Sequence, residues 1–231
     1  MKVPIPDREI AGKALAEELS DWRDRDDVIV LALPRGGVPV AYEIATHLHA
    51  RLDVLIVRKL GVPVHRELAM GAIASGGIRV MNEDVVRSYR VRPEEIETVA
   101  ATELGELERR AKVYRGERPW PKLAHHCVIL VDDGVATGAT MFAAIDAVRA
   151  QHAAKVIVAI PVAPADTVSR LEASADQVVC LAIPEPFYAI GQWYQRFNQV
   201  SDDEVIDLIG RAWTAHHCSV CNSPTIKPGP R

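Results

Sequence analysis

Basic residues do not outnumber acidic ones in this chain. Its 231 residues include 27 lysines and arginines against 31 aspartates and glutamates, a formal charge of −4. No global basic field exists to attract polyphosphate backbones, which argues against nucleic acid as a main partner. No stretch approaches the roughly 18 apolar residues of a membrane span. The opening Met1-Lys-Val-Pro-Ile-Pro-Asp-Arg8 lacks the apolar core of a signal peptide. These absences predict a cytoplasmic protein with no membrane partner. Four cysteines (Cys127, Cys180, Cys218, Cys221) are too few for a disulfide framework in a chain this long. The glycine fingerprints are missing too: Gly36-Gly37 is a lone pair, not a Rossmann motif. Gly134 and Gly138 lack Walker spacing, with no Lys-Ser or Lys-Thr after them.

The chain does have 48% hydrophobic and 25% charged residues, ordinary globular composition with enough length for one sizeable core. Short apolar runs at Val28–Leu33, Asp53–Val57, Cys127–Val131, Val156–Ile160 and Val178–Ile183 alternate with helical spacers. Uniformly apolar, β-branched runs joined by helices predict a parallel sheet of about five buried strands in a single α/β domain. A capped amphipathic helix is expected from about Asp7 to Arg25, and another at Val38–His49. Between about residues 61 and 81 the turn Ser75-Gly76-Gly77 separates two short runs, predicting a flexible arm built on a hairpin. Pro93-Glu94-Glu95 opens a long charged helix to about Tyr114. Further helices are expected at Ala139–His152, Pro164–Ala175 and Asp202–Trp213. The expected domain spans residues 1–213, and 214–231 read as a loose tail.

The densest chemistry lies in Val128-Ile-Leu-Val-Asp-Asp-Gly-Val-Ala-Thr-Gly-Ala-Thr-Met141. A buried strand delivers two adjacent acids, then a small-residue loop, then a helix. In open α/β sheets ligands bind beyond the carboxyl ends of the strands, where free amides and the helix dipole favour a phosphate. Asp132 and Asp133 beside a phosphate would repel it unless they served sugar hydroxyls or Mg²⁺. A phosphorylated sugar meets both demands.

This stretch resembles the signature of the type I phosphoribosyltransferase family. Pro34-Arg-Gly-Gly37 resembles that family's pyrophosphate loop, Arg58-Lys59-x-Gly61 the base of its flexible catalytic loop, and Phe187–Phe197 its base-covering hood, here about residues 184–200. The resemblance implies Mg²⁺-dependent transfer of the phosphoribosyl group of 5-phosphoribosyl-1-pyrophosphate to a small nitrogenous base, with release of pyrophosphate. It assigns the ribose hydroxyls to Asp132 and Asp133, and the 5′-phosphate to Ala136, Thr137, Gly138, Ala139 and Thr140. The pyrophosphate falls to Arg35 with the Gly36 and Gly37 amides. Arg35, Arg58 and Lys59 would stabilise the leaving group, and Glu67 is a candidate acid/base. The Mg²⁺ would be held mainly through the substrate, with no metal cage from the protein.

The sequence also departs from the family pattern. Gly134 stands where an apolar residue is usual, and Ala136 lacks the carboxylate of 6-oxopurine enzymes, which points away from hypoxanthine and guanine. Alanine there and Arg-Lys-x-Gly resemble adenine enzymes, yet their Leu-Glu-x-Gly reads Leu68-Ala-Met-Gly71 here. The subfamily and the acceptor base are left unassigned. Phe187, Tyr188, Trp193, Tyr194 and Phe197 fit base stacking, a satellite core or a homo-oligomer contact. His216-His217-Cys218-x-x-Cys221 is a partial zinc pattern without a second spaced pair. The alternatives to a transferase are a ligand-sensing regulator that keeps the cradle and a phosphoribosyl hydrolase.

Overall fold

The molecule, described by a computed structural model over residues 2–221 and with side chains through residue 216, is organised around five parallel strands. These are β1 (Val28–Ala32), β2 (Arg51–Val54), β6 (Cys127–Val131), β7 (Lys155–Val162) and β8 (Gln177–Ala182), in the spatial order β2-β1-β6-β7-β8. Every residue of β1 and β6 is buried, as expected of strands covered on both faces. Alternation divides them. Val28, Val30 and Ala32 face one core with Cys127, Ile129 and Val131, while Ile29, Leu31, Val128 and Leu130 face the other.

The first core is closed by α1 (Arg8–Glu18), α2 (Gly37–Leu48), α4 (Pro93–Arg115) and α7 (Asp202–Cys221), through residues such as Leu15, Ile44, Leu107 and Ile209. The second is closed by α5 (Ala139–Arg149) and α6 (Ala165–Ser174), through Ile145, Val148 and Leu171. The order puts the topological switch point between β1 and β6, whose carboxyl ends carry the two motif loops.

A second, antiparallel sheet is formed by β3 (Val57–Val62), β4 (His65–Ala74) and β5 (Ile78–Met81). The arm is therefore three-stranded rather than a hairpin over 61–81, and its first strand begins at Val57. The run Asp53–Val57 serves both sheets: β2 ends at Val54, Leu55 still donates to the Ala32 carbonyl at 2.9 Å, and Val57 pairs with Ala74. Hydrophobicity alone cannot locate that break, because both sheets bury the same residue types.

Other boundaries move for local reasons. Asp7 caps α1 by accepting from the Ile10 N–H at 2.9 Å, but the helix ends at Glu18, and a 3₁₀ turn at Ser20–Trp22 replaces the expected continuation to Arg25. Residues 83–88 form an additional helix, α3 (Glu83–Ser88), with Asn82 accepting from the Val85 N–H at 3.2 Å. The closing helix does not stop at Trp213. It runs to Cys221, so the expected loose tail is helical over residues 214–221, and residues 222–231 lie outside the described ones. Trp213 donates to the Leu52 carbonyl at 3.1 Å, tying α7 to the edge strand β2.

Candidate active site

The two motif loops meet beyond β1 and β6, and the reason for Gly36-Gly37 is steric. A Cβ on Gly36 would lie 2.0 Å from Asp133 Oδ2, and one on Gly37 would lie 2.6 Å from the Val131 carbonyl oxygen and 2.9 Å from Asp132 Cα. Only glycine lets the β1 loop rest on the acid pair. The Gly37 N–H is spent within its own loop, donated to the Leu33 carbonyl at 3.1 Å. That bond argues against the ligand role expected for this amide.

Asp132 is half-buried and accepts the Asp133 N–H on Oδ1 at 2.8 Å. Asp133 is buried, and sequence reasoning missed what holds it. Arg8, the first residue of α1, donates from Nε at 2.8 Å and approaches with Nη2 at 2.7 Å, both to Asp133 Oδ2. Burial pushes the Asp132 carboxyl well above the ordinary aspartate range, and the adjacent Asp133 charge adds to this. Burial also raises Asp133, opposed by Arg8.

The following loop is fastened from below. Val135 donates to the Val162 carbonyl at 2.9 Å, and buried Thr167 on α6 donates to the Ala136 carbonyl at 2.6 Å. Gly138 caps α5 with φ 83, a left-handed conformation that favours glycine. Phe142 closes the first helical turn onto the Gly138 carbonyl at 2.8 Å, so the Ala139, Thr140 and Met141 N–H groups have no intrahelical acceptor. Thr137, Ala139 and Thr140 are exposed at this open end.

Of the remaining predicted residues, Arg58 and Lys59 line one cavity, Arg35 lines another, and Glu67 lines neither. One, of about 700 Å³, lies between the arm and α4; Arg58, Lys59, Arg66 and Thr140 line it, so it reaches the phosphate loop. Within it Arg58 is held by Glu103 of α4, with Nε at 2.8 Å and Nη2 at 2.7 Å from Oε2. Lys59 donates to the Glu67 carbonyl at 3.1 Å and lies 3.5 Å from its carboxylate, which is fully exposed. The other cavity, about 250 Å³, is lined by Arg35, Arg109, Arg110 and Tyr114. Arg35 there sits 3.8 Å from Asp202, which also accepts the Tyr114 hydroxyl at 2.7 Å. Burial, and then Asp202, push Tyr114 up to about 12. The Arg35 guanidinium thus lies toward α7, while its loop backbone touches the acids.

The hood resolves the question of the aromatics. Tyr194 is buried in a satellite core with Ile5, Ala11 and Val162, half-buried Phe187, Trp193 and Phe197 pack against it, and Tyr188 is 81% exposed. The N-terminal segment completes the hood: Ile5 bridges to Tyr194, and its N–H donates to the Trp193 carbonyl at 2.7 Å. A Cβ on Gly134 would strike Ile190 at 2.6 Å, which explains the missing apolar side chain there. Among the described residues no three His, Cys, Asp or Glu side chains cluster to hold a metal. The side chains of His217, Cys218 and Cys221 lie outside the described ones.

A five-stranded parallel sheet with its switch point between β1 and β6 has the fold of the type I phosphoribosyltransferases. The comparisons agree. The family model for the phosphoribosyl transferase domain matches residues 4–194, and the chain belongs to that family. It is 50% identical over 206 residues to a protein of Mycobacterium tuberculosis, in both strain H37Rv and strain CDC 1551, named provisionally as a phosphoribosyl transferase. That match covers 89% of this chain and 46% of the relative, so the chain spans about half the length of the curated relatives it matches. The solved structure of protein TT1426 from Thermus thermophilus is 42% identical, with a TM-score of 0.80, over 89% of this chain and 97% of that one.

Proposed function

We propose that this chain transfers a 5-phosphoribosyl group from 5-phosphoribosyl-1-pyrophosphate to a nitrogenous base and releases pyrophosphate. The observation that carries the reading is the packing of Gly36 and Gly37 directly on Asp132 and Asp133 at the β1/β6 switch point. On this reading the contact joins the loop that would bind the leaving group to the acid that would bind the sugar. The open amides of α5 with Thr137 and Thr140 receive the 5′-phosphate, and Asp132 orients the ribose. As the C1–O bond lengthens, C1 gains positive character and the pyrophosphate gains negative charge. Arg35 would answer that charge from the β1 loop after turning away from Asp202, and Arg58 and Lys59 from the arm once their carboxylate partners give way. Glu67 would reach the acceptor only with the arm closed over the crevice. A Mg²⁺ held mainly by the pyrophosphate itself would neutralise part of its charge. No helix among the described residues is long and apolar enough to cross a membrane, and a cytoplasmic place in nucleotide metabolism suits this chemistry.

One observation favours a second reading. Arg58 and Lys59 are both engaged by carboxylates, which a sensor that retains the cradle without performing transfer would tolerate. Incubation with 5-phosphoribosyl-1-pyrophosphate, Mg²⁺ and a panel of bases, following pyrophosphate and the ribosyl product together, separates the cases. Base-dependent nucleotide formation is the expected result. Ribose 5-phosphate alone indicates hydrolysis, and no turnover with tight binding indicates a sensor.

A further inference from the structure

We infer that Arg8 gives the two adjacent acids different tasks: it holds Asp133 as the anchor of the hood and leaves Asp132 as the carboxylate that meets a ribose hydroxyl. This rests on the phosphoribosyl reading of the crevice. Two donors of Arg8 converge on Asp133 Oδ2, at 2.7 and 2.8 Å, with the two side chains 12% and 11% exposed. The same guanidinium donates from Nη1 to the Asn198 carbonyl at 2.8 Å and lies 3.9 Å from the Phe197 ring centroid. Tyr194 stacks on Phe197 at 4.9 Å and donates its hydroxyl to the Asp133 backbone carbonyl at 2.6 Å. Asp133 is thus bound through side chain and backbone to α1 and the hood together. Asp132 has no ion pair among the described residues, and its carboxylate receives no guanidinium donor. A carboxylate oxygen already receiving two guanidinium donors is a poor acceptor for a sugar hydroxyl. Arg8 is accordingly a positioning residue.

The groups facing the acid pair are Arg8 from α1, Tyr194 from the hood and the two aspartates themselves, with Asp7 close to Tyr194. Removing Arg8 leaves two like charges side by side, so the pair retains a proton to higher pH.

Two measurements test this. In the ligand-free protein, Arg8→Met should lower the melting temperature by about 5 °C at pH 8. That deficit should shrink as pH falls and Asp133 protonates, and adding Asp133→Asn should remove most of it. An unchanged Tm–pH curve, or no rescue in the double variant, overturns the clamp. The second measurement is calorimetric binding of 5-phosphoribosyl-1-pyrophosphate with Mg²⁺ from pH 6 to pH 8. Asp132→Asn should lose about tenfold or more in affinity. Asp133→Asn should lose less. Arg8→Met should move the acid limb of binding upward, Asp133→Asn should bring it back, and Arg8→Lys should restore it in part. A greater loss from Asp133→Asn than from Asp132→Asn overturns the division of tasks. Failure of the wild type to bind overturns the phosphoribosyl reading and the ribose task with it, while the Tm–pH result still decides the clamp.

Discussion

The strand-end crevice and the three-stranded arm both hold cationic side chains against carboxylates, but at different depths. Arg8 and Asp133 are 12% and 11% exposed, whereas Arg58 and Glu103 are 30% and 25% exposed, and Lys59 and Glu67 are 46% and 102% exposed. Depth changes what such a pair does. Breaking a buried pair strands a charge away from water, so Arg8 and Asp133 stay together and act as structure. The exposed Lys59–Glu67 pair is worth little, and half-buried Arg58–Glu103 lies between the two in exposure. On the proposed reading a polyanionic ligand would therefore take Lys59 most readily and Arg58 at greater cost. The crevice is thus set before a ligand arrives, and on the proposed reading the arm would exchange its carboxylates for the pyrophosphate.

The most severe way to break the crevice is Gly36→Ala. The added Cβ meets an Asp133 carboxylate that Arg8 keeps from moving, so the loop must lift. Chemical denaturation should show a loss of about 1–3 kcal/mol, and calorimetry should find no binding of 5-phosphoribosyl-1-pyrophosphate. Normal binding would show that the loop and the acids are not one unit.

Arg35→Lys keeps the charge but loses the planar fork. Turnover and turnover over KM should fall together by about ten- to a thousandfold, with little change in melting temperature, since the side chain is 37% exposed. A rise in KM alone would make Arg35 a ground-state anchor.

Asp132→Asn sharpens the comparison because binding and stability should move in opposite directions. Binding should weaken by about 1.5–3 kcal/mol. Stability should rise at neutral pH, because the folded-state pKa of Asp132 lies above its unfolded value. The protonated form is the one the fold prefers, so wild-type stability falls as pH climbs from the ordinary carboxylate range through the raised pKa. Melting curves from pH 4 to pH 8 should be flatter for the variant, and an equally steep curve would refute that account.

The smallest effect is expected in the arm. Glu103→Gln releases Arg58 and should change stability by less than about 1 kcal/mol, with KM for 5-phosphoribosyl-1-pyrophosphate unchanged or lowered. A large loss of stability would place this pair in the same class as the one in the crevice.

Local features of the chain carried most of the fold. Strand runs such as Val128–Val131 announce themselves by composition, and the Asp7 and Pro93 helix starts by capping chemistry. Asn82 offers the same signal for α3 through its side chain and the acids that follow. The aromatics of the hood were visible as a cluster, yet nothing local told a platform for a base from a satellite core. Packing against Ile5, far away in sequence, buries Tyr194 and half-buries Phe187, Trp193 and Phe197 beside it.

By itself the sequence determined the parallel sheet, the loops at its carboxyl ends, and the acid pair, glycine pair and threonine loop they carry. Each of these is written in residues adjacent along the chain. The tertiary structure alone decided which charges meet. Arg8 and Asp133 are separated by 125 positions and Arg58 and Glu103 by 45, while Arg35 faces Asp202 from a loop on another element. An arginine reads the same in sequence whether its partner is a distant carboxylate or a ligand phosphate. Only the route of the chain fixes the partner, and only burial fixes whether that partner can be exchanged.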